Sequence, residues 1–374
     1  MIRLALNTRT LAGPRTGIGH YTFELAQGLA SLPEVSLFCF DGTNWRTGAP
    51  QARTYSSDDA RQPSRTWAAK MPGAYVLRHK MEQRRFNQGI RQHGIELYHE
   101  PSLWPLDFSG PTVMTVHDLC HVKFPETQPQ ARLRFMQQVF PRALERCERI
   151  ITDTEQVRQE ILNHFNVTPA KITTVPLGVS NRFRPRLLSP GTLPANLQPG
   201  GYFLCVGTLE PRKNLPLVIR AHASLSSSEQ AQYPLVIVGG RGWKDASILR
   251  LCNREGIIRL GYVEDETLAE LVSGARAVLF PSLYEGFGLP VLEAMASDVP
   301  IVLSGESSPM EVAGEAAIVA SPTAPEPWTD CMRALIEHPE LFAHQRQTGL
   351  VRAQEFTWHR CATETLRVYQ SVQK

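Results

Sequence analysis

Residues 284–302, YEGFGLPVLEAMASDVPIV, hold two glutamates, Glu285 and Glu293, with seven residues between them. An apolar run, AVLFPS (277–282), leads into this stretch and has the length and composition of a buried strand. From Leu289 onward, apolar residues recur at helical spacing. The pattern predicts a strand, a tight turn and a helix, with Glu285 in the turn and Glu293 just over one turn inside the helix.

The predicted turn, Gly286-Phe287-Gly288-Leu289, is a candidate anion site. Its glycines let the backbone approach a ligand closely, and a helix N-terminus directs free N–H groups and a positive dipole end at the turn. A carboxylate accepts hydrogen bonds from paired hydroxyls. Two carboxylates on either side of an anion site therefore suit a ligand in which a phosphate lies between two polyols, such as a sugar nucleotide. Solvated helix-end charges are the competing interpretation, but the combination of features favours a ligand site.

Composition narrows the class of protein. A chain of 374 residues suggests two domains, and 42% apolar residues with 20% charged residues exclude a disordered protein. No run is long enough for a membrane span, and MIRLALNTRT is too short and polar for a signal peptide. Seven scattered cysteines without a CxxC pattern indicate free thiols and a cytoplasmic protein. A net charge of +3 does not indicate nucleic-acid binding.

Short β-rich runs alternate with helical patterns from end to end, which predicts two doubly wound α/β domains. The predicted strands are 2–7, 35–40, 96–99, 112–116, 149–154, 171–176, 202–208, 234–240, 257–262, 277–282, 300–304 and 316–320. The segment FRPRLLSPGTLPANLQPGG is rich in proline and glycine and lacks periodicity. We therefore predict an N-terminal domain at 1–182, a linker at 183–200, a C-terminal domain at 201–355 and a final helix at 356–374.

Further polar residues follow predicted strand ends, where open parallel sheets bind ligands. Arg212 and Lys213 follow one strand and can neutralise a diphosphate, although a solvated basic turn is the alternative. His117 ends the strand TVMTV and can donate to a sugar hydroxyl or cap the next segment. Gly17 and Gly19 are predicted to lie in a loop just before a helix, where backbone N–H groups could face a phosphate or an acceptor.

The sequence HDLCH, residues 117–121, places Cys120 and His121 near His117 and superficially resembles a metal cluster. No second group of ligands accompanies it, so we predict no metal.

Five segments together resemble the retaining glycosyltransferases of family 4, whose fold is termed GT-B. They are TGIGHYTFEL (16–25), TVHDLCHVKFPE (115–126), VGTLEPRKNL (206–215), the stretch 284–302 and SSPMEVAGEAAIV (307–319). The resemblance spans nearly the whole chain. It implies two Rossmann-like domains facing an interdomain cleft, with the final helix crossing back to the N-terminal domain.

The resemblance also implies roles for residues. Lys213 would contact the diphosphate of a nucleotide sugar, Glu285 the sugar hydroxyls and Glu293 the ribose, and His117 would lie beside the transferred sugar. Tyr262 and Val263, after another strand, would pack against the base through their backbone. Thr208 stands where many members have a second clamping arginine, a role that Arg212 would have to fill.

The implied reaction is metal-independent and needs no cofactor besides the donor. The diphosphate leaves from the front face and helps to deprotonate the incoming hydroxyl. The motif set is most similar to bacterial mannosyl- and rhamnosyltransferases of surface polysaccharides. We therefore expect a GDP-sugar donor, with UDP-sugars as the alternative, and a glycan or polyprenyl-diphosphate-linked glycan acceptor.

Eight lysines and arginines lie between Arg61 and Arg91 against one acid, Glu82, and Trp67 is among the interleaved aromatic residues. A solvated helix face and an anionic membrane surface both fit this pattern. The second interpretation predicts peripheral attachment to the cytoplasmic face of the inner membrane.

Three other functions are alternatives to a glycosyltransferase. A phosphorylase shares the GT-B fold, but it is usually much longer and needs a cofactor lysine that this sequence does not identify. A non-catalytic nucleotide-sugar sensor would keep the binding residues without turnover. A nicotinamide oxidoreductase is disfavoured because no GxGxxG follows the first strand of either half.

Overall fold

The computed structural model describes residues 1–51, 74–189, 191–305 and 308–373. The chain divides into two compact units. The first contains Met1–Leu119, Gln130–Gly178 and Trp358–Lys374, and the second contains Cys120–Pro129 and Val179–Thr357. The segment 183–200, predicted to be a linker, lies within the second unit. No pattern along the chain indicates that residues 120–129 belong to the second unit.

Each unit is built on one sheet. The strands are β1 (Ile2–Asn7), β2 (Val35–Phe40), β3 (Trp45–Thr47), β4 (Leu97–Glu100), β5 (Thr112–Val116), β6 (Arg149–Thr152), β7 (Ile172–Thr174), β8 (Phe203–Val206), β9 (Leu235–Val238), β10 (Ile258–Gly261), β11 (Ala277–Phe280), β12 (Ile301–Ser304) and β13 (Ala317–Ala320). The spatial orders are β3-β2-β1-β4-β5-β6-β7 and β10-β9-β8-β11-β12-β13. All pairs are parallel except β2 with β3. The twelve predicted strands are confirmed, and the edge strand β3 was missed.

Helices connect the strands. They are α1 (Gly17–Ala30), α2 (Ala74–His93), α3 (Cys120–Lys123), α4 (Gln130–Arg146), α5 (Glu155–His164), α6 (Leu215–Ala223), α7 (Ser227–Gln232), α8 (Ala246–Arg254), α9 (Asp265–Ser273), α10 (Leu289–Ala296), α11 (Pro309–Ala313), α12 (Glu326–Glu337), α13 (Ala343–Ala353) and α14 (Trp358–Val372). Among the described residues, no helix is both long and apolar enough to cross a bilayer.

The final helix belongs to the first unit, although it comes last in the chain. Helix α14 packs against α1 at Gly28, where an added Cβ would lie 2.6 Å from the Cβ of Ala362. A glycine at this position therefore allows the close approach of the two helices. The Tyr369 hydroxyl also lies 2.6 Å from Nδ1 of the buried His99. The C-terminal helix thus completes the N-terminal unit.

The strand order of the second sheet determines where its polar loops meet. When its six strands are numbered from 1 along the chain, their spatial order is 3-2-1-4-5-6. This is the order of a doubly wound dinucleotide-binding fold, in which the chain first adds strands on one side of strand 1 and then, from strand 4, on the other side. Here those strands are β8 and β11, which pair directly. The loops that follow them leave the same edge side by side, so this edge is where a ligand is expected.

Candidate functional site

The loops after β8 and β11 bring together the charged residues that the sequence singled out. Lys213 Nζ lies 2.5 Å from Glu285 Oε1, and Arg212 Nη1 lies 2.6 Å from Glu285 Oε2. The Glu285 residue is 8% exposed. Each carboxylate oxygen therefore has its own cation, and the predicted acid and the predicted basic turn form a single cluster.

Two further contacts fix Arg212 in this cluster. Its Nη1 donates to the carbonyl oxygen of Tyr284 at 2.6 Å, and its Nη2 donates to Glu210 Oε1 at 2.8 Å. The backbone closes the arrangement, because Leu283 N donates to the Arg212 carbonyl at 2.9 Å. The cluster has two cations and two buried carboxylates, so its formal charges balance. The sequence did not identify Glu210 as a member.

The balance of burial and charge sets the protonation of Glu285. Burial alone would raise the pKa of this carboxyl, but the charges of Arg212 and Lys213 outweigh burial and lower it to about 2. Glu285 is therefore ionised at neutral pH. With both oxygens in ion pairs, it is a weak nucleophile and a well-positioned hydrogen-bond acceptor.

The turn before α10 has the conformation that its glycines predict. Gly288 has φ of +89° and is the N-cap of the helix, and a Cβ there would lie 2.8 Å from Pro309. A side chain at this position would be strained and would clash with α11. The Phe287 side chain is buried and packs edge-on against Phe356 at 6.0 Å, so only the backbone of this residue can face a ligand.

Glu293 lies in α10, near the ion pair between Arg182 and Asp265, whose closest atoms are 2.5 Å apart. Burial raises the pKa of Glu293 to about 8, and Asp265 adds to the rise while Arg182 opposes it. The side chain is half-buried. Glu293 is thus predominantly neutral at pH 7, in contrast to Glu285.

Replacing Glu293 by glutamine is expected to stabilise the protein more at high pH than at low pH. The pKa of Glu293 rises from its ordinary 4.5 to about 8 on folding, so the stability contributed by the bound proton is lost as pH rises through about 8. Glutamine does not titrate. The unfolding free energy of the variant minus that of wild type should therefore be on the order of 1–2 kcal/mol larger at about pH 9 than at about pH 6. Urea unfolding at both pH values measures this, and a constant difference would contradict it.

His117 follows β5 in the first unit and contacts the protein through both ring nitrogens. Nδ1 lies 2.7 Å from Asp153 Oδ2, and Nε2 donates to the Pro101 carbonyl at 3.2 Å. Tyr21 packs edge-on against the ring, with centroids 4.6 Å apart. Sequence interpretation found His117 but not Asp153, because nothing along the chain indicates that residues 36 positions apart would pair.

Gly17 and Gly19 lie in the first turn of α1, not in a loop before it. Thr16 has extended backbone angles and is the N-cap residue, so the helix already begins at Gly17. Gly19 allows a close approach to the Thr10 carbonyl, from which an added Cβ would be 3.3 Å away. The predicted glycine loop is therefore a helix N-terminus, which retains the free N–H groups of an anion site.

Tyr262 and Val263 directly follow β10, and both are half-buried. They lie at the same edge of the second sheet as the Glu285 cluster, beyond β9. Their predicted backbone contact with a nucleobase stays a hypothesis.

A second ionic network lies at the corresponding edge of the first sheet and was not predicted. Arg9 Nη1 lies 3.0 Å from Glu82, and Arg9 Nη2 lies 3.5 Å from Glu100. Glu100 also accepts from Asn7 at 2.7 Å and from Tyr98 at 2.6 Å. Strands β1 and β4 are adjacent, so this network fills the point where chain direction reverses in the first sheet.

The HDLCH motif is divided between the two units, because Leu119 ends a segment of the first and Cys120 begins a segment of the second. Cys120 Sγ accepts from Gln128 Nε2 at 3.1 Å. No group of three or more histidine, cysteine, aspartate or glutamate residues in the described part of the chain could hold a metal ion. All seven cysteines are free thiols.

Comparison with known proteins matches both halves of the chain. The family described as Glycosyltransferase Family 4 matches residues 15–182, and Glycosyl transferases group 1 matches residues 196–350. The O-antigen chain mannosyltransferase B of Escherichia coli is 33% identical over 381 aligned residues, which cover 99% of this chain and 100% of that protein.

Solved structures share the fold. Sucrose-phosphate synthase from Thermosynechococcus elongatus superposes with a TM-score of 0.76 at 18% identity, covering 99% of each chain. Anabaena Alr3699/HepE in complex with UDP-glucose gives a TM-score of 0.71 at 14% identity, covering 99% of this chain and 100% of that one.

Two doubly wound sheets, one with an acid and two cations where chain direction reverses, define a GT-B protein with a candidate nucleotide-sugar site. The chain belongs to family 4 of the glycosyltransferases.

Proposed function

We propose that this protein is a retaining mannosyltransferase that uses GDP-mannose and extends a glycan or lipid-linked glycan of a bacterial surface polysaccharide. The observation that carries the proposal is the Glu285–Lys213–Arg212 cluster at the β8–β11 edge. The full-length relative named as an O-antigen mannosyltransferase supports the choice of sugar and pathway class. The structural neighbour that binds UDP-glucose supports a nucleotide sugar as donor.

In this proposal the diphosphate of the donor lies against Lys213 and Arg212, with the N-terminus of α10 as a further positive end. Glu285 accepts hydrogen bonds from the transferred sugar, and Glu293 contacts the ribose. The turn residues 286–289 supply backbone groups, and Tyr262 and Val263 lie against the base. Because Glu285 pairs with both cations, a bound diphosphate must share or displace these ion pairs.

The chemistry of Glu285 favours a front-face reaction. A double displacement needs a free carboxylate as nucleophile, and Glu285 has both oxygens in ion pairs. In the proposed step the bond between the anomeric carbon and the diphosphate oxygen breaks, and the electron pair leaves with the diphosphate. The acceptor hydroxyl oxygen bonds to the anomeric carbon on the same face, and its proton passes to the departing phosphate.

Thermal shift tests the donor directly, because a ligand that binds only the native state raises the unfolding midpoint. GDP and GDP-mannose are expected to raise the midpoint more than UDP, UDP-glucose or TDP-sugars at equal concentration. A larger shift with a UDP-sugar would mean that the base of the donor is uracil and not guanine. Binding of a nucleotide sugar without turnover on any lipid-linked glycan would favour the sensor function.

We also propose that the exposed face of α2 contacts anionic lipid. Lys80, Arg84, Arg85 and Arg91 are exposed, and Met81 is 46% exposed beside them. Glu82, the single acid in the basic stretch, is instead buried and paired with Arg9. The outer face is therefore cationic without a compensating acid of its own helix. The rest of the basic stretch, up to residue 73, and Trp67 with it, lies outside the described residues.

The wild-type protein is expected to co-sediment with anionic liposomes at low ionic strength and to be released by salt. Each cation near such a surface contributes about 1 kcal/mol, so replacing Arg84 and Arg85 by glutamate should remove most binding. Arg220 and Arg254, which are exposed on the second unit, provide a control with the same charge change. Equal loss in both double variants, or no binding by wild type, would leave the α2 face as an ordinary solvated surface.

A further inference from the structure

Three neighbouring strands of the first sheet place His117 between two acceptors. Strands β4, β5 and β6 lie side by side, and Pro101, His117 and Asp153 follow them at the same edge. His117 Nδ1 lies 2.7 Å from Asp153 Oδ2, and Nε2 lies 3.2 Å from the Pro101 carbonyl oxygen. Both acceptors are held in place, because Asp153 is 2% exposed and Pro101 contributes its backbone carbonyl.

A histidine ring satisfies two acceptors at once only when both nitrogens carry protons. The carbonyl of Pro101 can only accept, and the Asp153 carboxylate accepts when ionised. Asp153 Oδ1 is buried and has no hydrogen-bond partner among the described residues, so the His117 ring is the main compensation for the Asp153 charge. The geometry thus favours an imidazolium paired with a carboxylate.

The surrounding groups support a positive charge on His117. Burial lowers its pKa, but Asp153 outweighs burial, and Asp118 and the Pro101 carbonyl act in the same direction, so the pKa is raised. Tyr21 contacts the ring edge and stays protonated, since burial raises its pKa. Burial and the His117 charge lower the pKa of His99 to about 3, so His99 is neutral.

We propose that Asp153 is a positioning residue that keeps His117 doubly protonated, so that His117 serves the reaction as a fixed cation and not as a proton donor or acceptor. The catalytic meaning rests on the proposed function, whereas the charge state of His117 does not. The proposal departs from the sequence-based expectation that His117 donates to a sugar hydroxyl, because both N–H groups are directed at protein atoms.

The charge state can be measured on the full-length protein by NMR of histidine-labelled samples, with His117→Gln identifying the signal. In wild type, the His117 ring is expected to titrate above the ordinary histidine value, because Asp153 raises its pKa. In Asp153→Asn it is expected to titrate near or below about 6.5, the ordinary histidine value. A neutral His117 at pH 7 in wild type, or an unchanged titration in the variant, would overturn the proposal.

Turnover against pH separates a charge effect from damage to the fold. Asp153→Asn should retain turnover within about threefold of wild type near pH 5.5 and fall toward about a tenth of it as pH rises, because its His117 loses the proton at a lower pH than that of wild type. Asp107, an exposed aspartate of the same unit paired with Arg146, gives the matched control Asp107→Asn. An equal loss at every pH would mean a merely structural role. If wild type transfers no sugar, the NMR result still decides the charge state, and only the proposed function fails.

Discussion

Replacing Lys213 by alanine is expected to lower turnover on the order of a hundredfold with saturating donor. Negative charge on the diphosphate grows as the glycosidic bond breaks, so a cation there stabilises the transition state more than the bound donor. Removing such a group typically costs about 3 kcal/mol. Nucleotide affinity, measured by calorimetry, should fall much less than turnover, because Arg212 would remain beside the phosphate in the proposed complex.

Two variants make the Lys213 result specific. Lys213→Arg keeps the charge and should recover part of the turnover. Arg254→Ala removes an exposed cation of the same unit and should have no effect. Arg212→Ala is expected to lose less turnover than Lys213→Ala, but it leaves the buried Glu210 without this partner and should lower stability more. Turnover of Lys213→Ala within twofold of wild type would place the diphosphate elsewhere.

Replacing Glu285 by glutamine is expected to separate donor binding from transfer. The cluster has two cations and two carboxylates, so removing one carboxylate leaves a net positive charge. Affinity for GDP should stay the same or rise by a few fold, because the diphosphate no longer competes with a charged side chain. Turnover should fall about a hundredfold or more, because the carboxylate proposed to orient the cationic transition state of the sugar is lost.

Calorimetry with GDP and initial rates with saturating GDP-mannose measure the two effects on Glu285→Gln. Glu315→Gln, at a position outside the cluster, controls for the change from acid to amide. A loss of GDP affinity equal to the loss of turnover would mean that Glu285 contacts the nucleotide in the ground state. The assignment of Glu285 to the sugar would then be wrong.

Much of the fold could be predicted because parallel strands buried on both faces leave a strong apolar signal. Strand β3 (Trp45–Thr47) was missed because it is three residues long and pairs antiparallel at the sheet edge after a turn at Gly42. The placement of residues 120–129 was missed for a different reason. It depends on tertiary contacts, including the donation from Trp243 Nε1 to the Thr127 carbonyl at 2.6 Å.

For the candidate site, the individual residues could be predicted from the sequence, but their contacts could not. Glu285, Arg212 and Lys213 could be identified because each follows a strand and has a residue type suited to a phosphate or a sugar. Their mutual pairing could not, because it depends on β8 and β11 being neighbours in space. The same limit explains why Asp153 was not linked to His117.

The stereochemistry of transfer from GDP-α-mannose tests the central claim most directly. The protein is incubated with this donor and a lipid-linked glycan acceptor, and the anomeric configuration of the new mannoside is determined by NMR. A retaining mannosyltransferase yields an α-mannoside, with turnover lost in Lys213→Ala and Glu285→Gln. A β-mannoside, or transfer that both variants leave intact, would contradict the proposed reaction at this site.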